Sequence, residues 1–114
     1  MKILNILLLH LCFSIFSFAQ DQYTNLPSAD CIMLEDENSI ICKYIHKRVD
    51  HDQNITVLWI DPTGKVSRSR EMVIPAMHGS VYDYRYLMGR MDGIWEFKVI
   101  ENNKEVSTKF EIKQ

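Results

Sequence analysis

The sequence predicts an all-β chain, about seven short antiparallel strands packed as a two-layer sandwich. Three observations carry that expectation. Apolar and polar residues alternate along most of the chain, most clearly at 95–99 and 106–112, which is the period of a half-buried strand. Turn-forming residues interrupt these runs at Asp61-Pro62-Thr63-Gly64, in the glycine-punctuated stretch Met88–Gly93, and at Asn102-Asn103. Within 20–114 no stretch combines the length and the 3.6-residue period of a helix.

The first nineteen residues are set apart from the rest. Lys2 precedes a mainly apolar run interrupted by Asn5, His10 and Ser14, and Ser17 and Ala19 occupy the −3 and −1 positions of a cut before Gln20. That layout predicts a cleaved signal peptide over 1–19 and an exported domain, secreted or periplasmic, over 20–114. The run falls short of the ~20 continuous apolar residues of a spanning helix, and no later stretch supplies one. Lipidation at Cys12 is disfavoured because bulky His10 and Leu11 precede it. Loss of Lys2 leaves 12 basic and 15 acidic side chains, a net charge of −3. With no basic stripe beyond Lys47-Arg48, nucleic acid is not an expected partner.

Taken in order, residues 20–30 are a polar lead-in containing Pro27. The segment C-I-M-L-E-D-E-N-S-I-I-C at 31–42 is then symmetric about its polar centre, with apolar residues and a cysteine on either side. With Glu35–Asn38 as a four-residue loop, strands 29–34 and 39–47 pair so that Ile32 opposes Ile41 and Cys31 opposes Cys42. Opposed residues lie within disulfide reach, and an even cysteine pair in an exported chain predicts that bond. Ten intervening residues argue against the C-x-x-C spacing of a redox or metal pair. The bridge is worth about 2–3 kcal/mol on a chain-entropy basis.

The next strand, 55–61, carries Val57 and Trp59 on one face and Leu58 and Ile60 on the other, the signature of a central strand. Asp61-Pro62-Thr63-Gly64 follows a type I turn position by position. A mostly solvent-facing return strand follows at 65–74, and Tyr82, Tyr84 and Tyr86 mark another at 81–87. Strands 94–101 and 104–113 fix each other's register through a two-residue Asn102-Asn103 turn. Trp95 then meets Phe110, Phe97 meets Thr108, and Val99 meets Val106; a one-residue slip would destroy the match.

The stretches V-L-W-I-D-P-T-G-K-V at 57–66, D-G-I-W-E-F-K-V at 92–99 and F-E-I-K at 110–113 resemble immunoglobulin-like and fibronectin-type sandwiches, especially the repeated domains of the macroglobulin family. The resemblance spans roughly residues 55–113 and implies an Ig-like β-sandwich. It brings no thioester or bait segment, so it implies no macroglobulin activity. Cys31 and Cys42 are also too close in sequence to be the inter-sheet bridge of antibody domains.

For function, the residues point away from catalysis. Asp61 lacks the wider framework of a phosphorylated or proteolytic aspartate, and no serine sits in a glycine-flanked elbow. No cofactor is implied. The expected role is a protein-binding or structural module with another protein as partner. The candidate interface is Tyr82, Tyr84 and Tyr86 with Met88 and Met91, because aromatic residues and methionine are enriched where proteins meet. Asp83 and Arg85 alternate with the tyrosines, so the row is expected to face the core with the charges in solvent; the opposite orientation would make it an exposed patch. The alternative role is Cu or Zn binding by His46, Asp50, His51 and His78, whose imidazole and carboxylate groups suit either ion. Asn54-Ile55-Thr56 is a glycosylation sequon in a eukaryotic secretory path.

Overall fold

The computed structural model describes residues 26–114; the expected signal peptide and Cys12 lie outside them. Seven strands follow in order: β1 (Ser28–Leu34), β2 (Ser39–Ile45), β3 (Gln53–Ile60), β4 (Val66–Ile74), β5 (Ser80–Tyr86), β6 (Gly93–Glu101) and β7 (Lys104–Ile112). Each falls on an expected strand with ends moved by at most two residues. All pairings are antiparallel, in a three-stranded sheet of order β1-β2-β5 and a four-stranded sheet of order β4-β3-β6-β7.

Two hairpins form as the residue pattern requires. Between β1 and β2, a single 3₁₀ turn at Glu35–Glu37 ends on Asn38 in the left-handed region, which asparagine tolerates. Leu34 then pairs with Ser39, Ile32 with Ile41, and Cys31 with Cys42. The cysteines are bonded, with Cα atoms 4.1 Å apart, and Cys42 is fully buried. At the other hairpin Asn102 and Asn103 both have positive φ, 49° and 66°, as a type I′ turn demands. Its register is Val99 to Val106, Phe97 to Thr108 and Trp95 to Phe110.

Strand β3 is central, flanked by β4 and β6, which is why it is apolar on both faces. Val57 and Trp59 are fully buried between the sheets, while Leu58 and Ile60 are half-buried on the outside. The core is built from Ile40, Cys42 and Tyr44 of one sheet against Ile55, Val57, Trp59, Trp95, Phe97 and Val99 of the other. Trp59 meets the rings of Phe97 and Phe110 edge-on at 5.4 and 5.9 Å. Each fully buried Val, Ile or Phe side chain contributes about 1.5–3 kcal/mol, so these alternating positions drive the packing.

The turn after β3 is closed by Gly64 N–H donating to the Asp61 carbonyl at 2.9 Å. The Asp61 carboxylate accepts from the Thr63 hydroxyl at 2.6 Å, the Thr63 amide at 2.8 Å and the Lys65 amide at 3.1 Å. The Thr63 bond, chiefly, holds its carboxyl below the usual range. Asp61 therefore shapes the hairpin. Gly93 opens β6 at φ 129° against this turn, where a Cβ would lie 2.8 Å from Pro62 Cγ.

Candidate binding face

Strand β5 lies the opposite way from the orientation that its charges favour. Tyr82, Tyr84 and Tyr86 point outward and are 54%, 59% and 64% exposed, whereas Asp83 is 2% exposed. A buried tyrosine row is thus overturned, and the reason is local. The Asp83 carboxylate accepts from Trp59 Nε1 at 2.8 Å, Arg70 at 2.7 Å, Arg68 at 3.4 Å and the Tyr84 amide at 3.2 Å. Four donors offset the cost of burying a carboxylate, which an unpaired charge would not survive. Arg85 also turns inward, its guanidinium 5.5 Å from the Trp59 ring and 5.9 Å from the Trp95 ring, and donates to Ser67 Oγ at 3.0 Å. The side of the sandwich between β4 and β5 is therefore closed by charged groups over indoles.

The outward tyrosines extend a sheet face already apolar on β1 and β2. The β1-β2-β5 register aligns Ile32, Ile41 and Tyr84 in one row, Asp30, Lys43 and Tyr82 in the next, and Leu34, Ser39 and Tyr86 on the other side. Ile32 is 55% exposed, and the Tyr84 and Tyr86 rings meet edge-on at 6.3 Å. Lys43 Nζ sits 5.5 Å over the Tyr82 ring. Met88 and Met91, both exposed, lie in the β5–β6 loop beside the β1–β2 turn, where Leu87 N–H donates to the Asn38 carbonyl at 2.8 Å.

Charge is distributed unevenly around this face. Exposed Glu35, Asp36 and Glu37 form the turn at one end of β1 and β2. At the opposite end exposed Lys47 and Arg48 follow β2, and Lys43 is one row inside them.

The histidines take separate roles. His46, just past β2, is buried with Nδ1 3.7 Å from Glu101 Oε1, and its Nε2 donates to the His78 carbonyl at 3.2 Å. Tyr44, on the same inner face, donates to Glu101 Oε2 at 2.6 Å. Burial first, then the bond to Glu101, pushes the Tyr44 phenol above its ordinary range. His51 is exposed and bonds to Asp50 at 3.1 Å, which lowers the Asp50 carboxyl. His78 contributes its backbone to His46, not its ring. The set His46, Asp50, His51 and His78 is thus not brought to one point, and among the described residues no three His, Cys, Asp or Glu side chains group around a metal-sized space.

An all-β sandwich with one aromatic outer face is the class of protein these features define. No protein-family model matches the chain, and no curated protein matches it. Sequence reasoning found the tyrosines but missed Ile32, Ile41 and Lys43 beside them. The signal was present: with Cys31 and Cys42 inward, Ile32 and Ile41 must face out. What no local pattern supplied was that β5 lies next to β2.

Proposed function

We propose that this chain is an exported, non-enzymatic binding module that engages another protein through the outer face of its three-stranded sheet. The observation that carries the reading is the solvent-facing row Tyr82, Tyr84 and Tyr86, continuous with Ile32 and Ile41 across three paired strands. Tyrosine supplies large amphipathic contact area at low entropic cost, and exposed apolar faces of this kind mark interaction sites. The non-enzymatic reading is supported by the structural duties of the reactive groups: Asp61 shapes a turn, Cys31 and Cys42 are bonded, and Asp83 anchors Trp59. Export is supported by the N-terminal segment and by the disulfide.

A broadly Ig-like assignment is supported by the groupings β1-β2-β5 and β3-β6-β7, which match strands A, B, E and C, F, G of immunoglobulin domains. The constant-type order itself is not followed, since β4 lies beside β3 and not beside β5. The likeness to macroglobulin-family domains rests on the Asp61–Gly64 turn and the Trp95 strand.

The test is photo-crosslinking in the producing cell. A benzophenone side chain at position 84 is expected to capture a protein adduct, and the same group at Lys109, on the other sheet, is not. Equal capture at both positions, or none at 84, rejects the assignment of the face. N-terminal sequencing of the exported protein should begin at Gln20.

A further inference from the structure

Resting on that reading of the face, we infer that its occupant is a second copy of this chain, docked face to face about a two-fold axis that lies between the two facing sheets and runs across the strands. The charge pattern selects this arrangement. A two-fold axis parallel to the strands would lay the Glu35–Glu37 turn of one copy over that of the other, and like charges juxtaposed cost several kcal/mol. An axis across the strands reverses their direction. It carries the acidic turn of each copy to the Lys43, Lys47 and Arg48 end of the other. The face is then self-complementary, as an isologous contact must be.

The register makes the geometry specific. With the axis on the Ile32–Ile41–Tyr84 row, Tyr84 meets Tyr84 of the second copy and Tyr82 meets Tyr86. Lys43, two residues beyond Ile41 on β2, reaches toward the second copy's Glu37, which lies on the far side of Ser39. Asp30 shares the Lys43 row on β1 at the margin, Lys47 and Arg48 follow β2, and Asp50 and Asp52 come after them in the loop that leads to β3 in the other sheet.

The size of the face sets the strength. Three strands ~4.8 Å apart and seven residues long at ~3.3 Å per residue project roughly 300 Å², before the flanking turns are added. Counted on both copies that is roughly 600 Å², below the ~1,200 Å² of stable specific interfaces, so the dimer is weak and reversible, with a dissociation constant of about 10–300 µM. Because charged flanks contribute, association should also weaken as salt is raised.

Sedimentation velocity of the purified protein from about 5 µM to about 1 mM tests this. A monomer–dimer equilibrium is expected, weakened about 10-fold or more by Tyr84→Ala and similarly by Tyr86→Ala. Lys43→Glu and Glu37→Lys should each weaken it by about 3–10-fold, and the double variant should return to within about 3-fold of the parent. All four positions lie at the surface or its margin, so thermal midpoints matching the parent confirm that folding is unaffected. A parent that remains monomeric at ~1 mM, or a double variant no better than its weaker single, overturns self-association. The two readings also separate. Capture of a different protein at position 84 by a monomeric parent keeps the binding face and rejects the second copy. No capture and no association rejects both.

Discussion

The two sheets share one core but turn opposite kinds of surface to solvent. On the four-stranded sheet the outer rows alternate charge with half-buried aliphatics, such as Ile60, Glu96 and Lys109, or Leu58, Lys98 and Ser107. Its charges pair among themselves, Lys98 with Glu105 at 3.6 Å and Lys113 with Glu111 at 3.5 Å. Its exposed Val66, Val73 and Ile94 are spread over two strands, opposite Ile60, Asn54 and Glu111 in turn. The three-stranded sheet instead concentrates Ile32, Ile41 and three tyrosines on one face. Folding needs only the inner faces to be apolar, and both sheets meet that need. The aromatic outer face lies outside that need, which is the ground for proposing it as an interaction surface.

Adjacent residues of β5 give the sharpest test of that contrast. Asp83→Ala removes the acceptor of the Trp59 indole and the shared partner of Arg68 and Arg70, and should cost about 2–4 kcal/mol in urea unfolding. The arginines are 35% and 53% exposed, so water relieves part of the loss and keeps the cost below the ~5 kcal/mol of breaking a fully buried pair. Tyr84→Ala, one residue on, should change stability by no more than about 0.5 kcal/mol while weakening association through the face by about 10-fold or more. Equal costs would mean that the outer row supports the fold after all.

The disulfide distinguishes the sheets next. It staples β1 to β2, the strands that carry the aromatic face, and the four-stranded sheet has no counterpart. Cys31→Ser with Cys42→Ser should lower stability by about 2–3 kcal/mol. Amide exchange should then rise in β1 before it rises in β7; uniform loosening would show that the bond acts on the whole domain.

A smaller effect lies where the sheets are tied together, at the bond from Tyr44 of β2 to Glu101 of β6. The Tyr44 phenol titrates above its ordinary value in the folded chain, so the folded state holds this proton more tightly than the unfolded chain does. The stability it contributes is complete below the ordinary phenol pKa of about 10 and is lost as pH rises beyond it, with a slope of up to ~1.4 kcal/mol per pH unit. Tyr44→Phe should flatten that alkaline slope relative to the parent. An unchanged slope would assign it to other groups. The smallest change expected is at the β6–β7 turn. There Asn103→Gly suits φ 66° better than asparagine and should raise the urea midpoint by the equivalent of a few tenths of a kcal/mol, about 0.3–0.8.

Much of the sandwich was legible because its information is local. The β1–β2 register follows from a sequence symmetric about Glu35–Asn38, and the β6–β7 register follows from two asparagines and the matched pairs Trp95–Phe110, Phe97–Thr108 and Val99–Val106. Asp61 read as a turn because aspartate, proline and glycine each supply a different piece of turn geometry within four residues. His46 and His51 looked like neighbours in sequence, yet one is buried against Glu101 and the other is exposed beside Asp50. Sequence proximity could not reveal that separation, since Glu101 is 55 positions away from His46.

Alternation along β5 specifies two faces but not which of them is inside. Tyrosines opposite Asp83 and Arg85 suggested an aromatic core when weighed by hydrophobicity alone. The inside face went to the charges because β3 and β4 deliver Trp59, Arg68 and Arg70 to Asp83, partners that exist only once distant strands have packed. Strand periods, turns and hairpin registers depend on neighbours within a few residues and can be read along the chain. The aromatic face depends on a buried carboxylate being satisfied from the opposite sheet, and that requires the assembled sandwich.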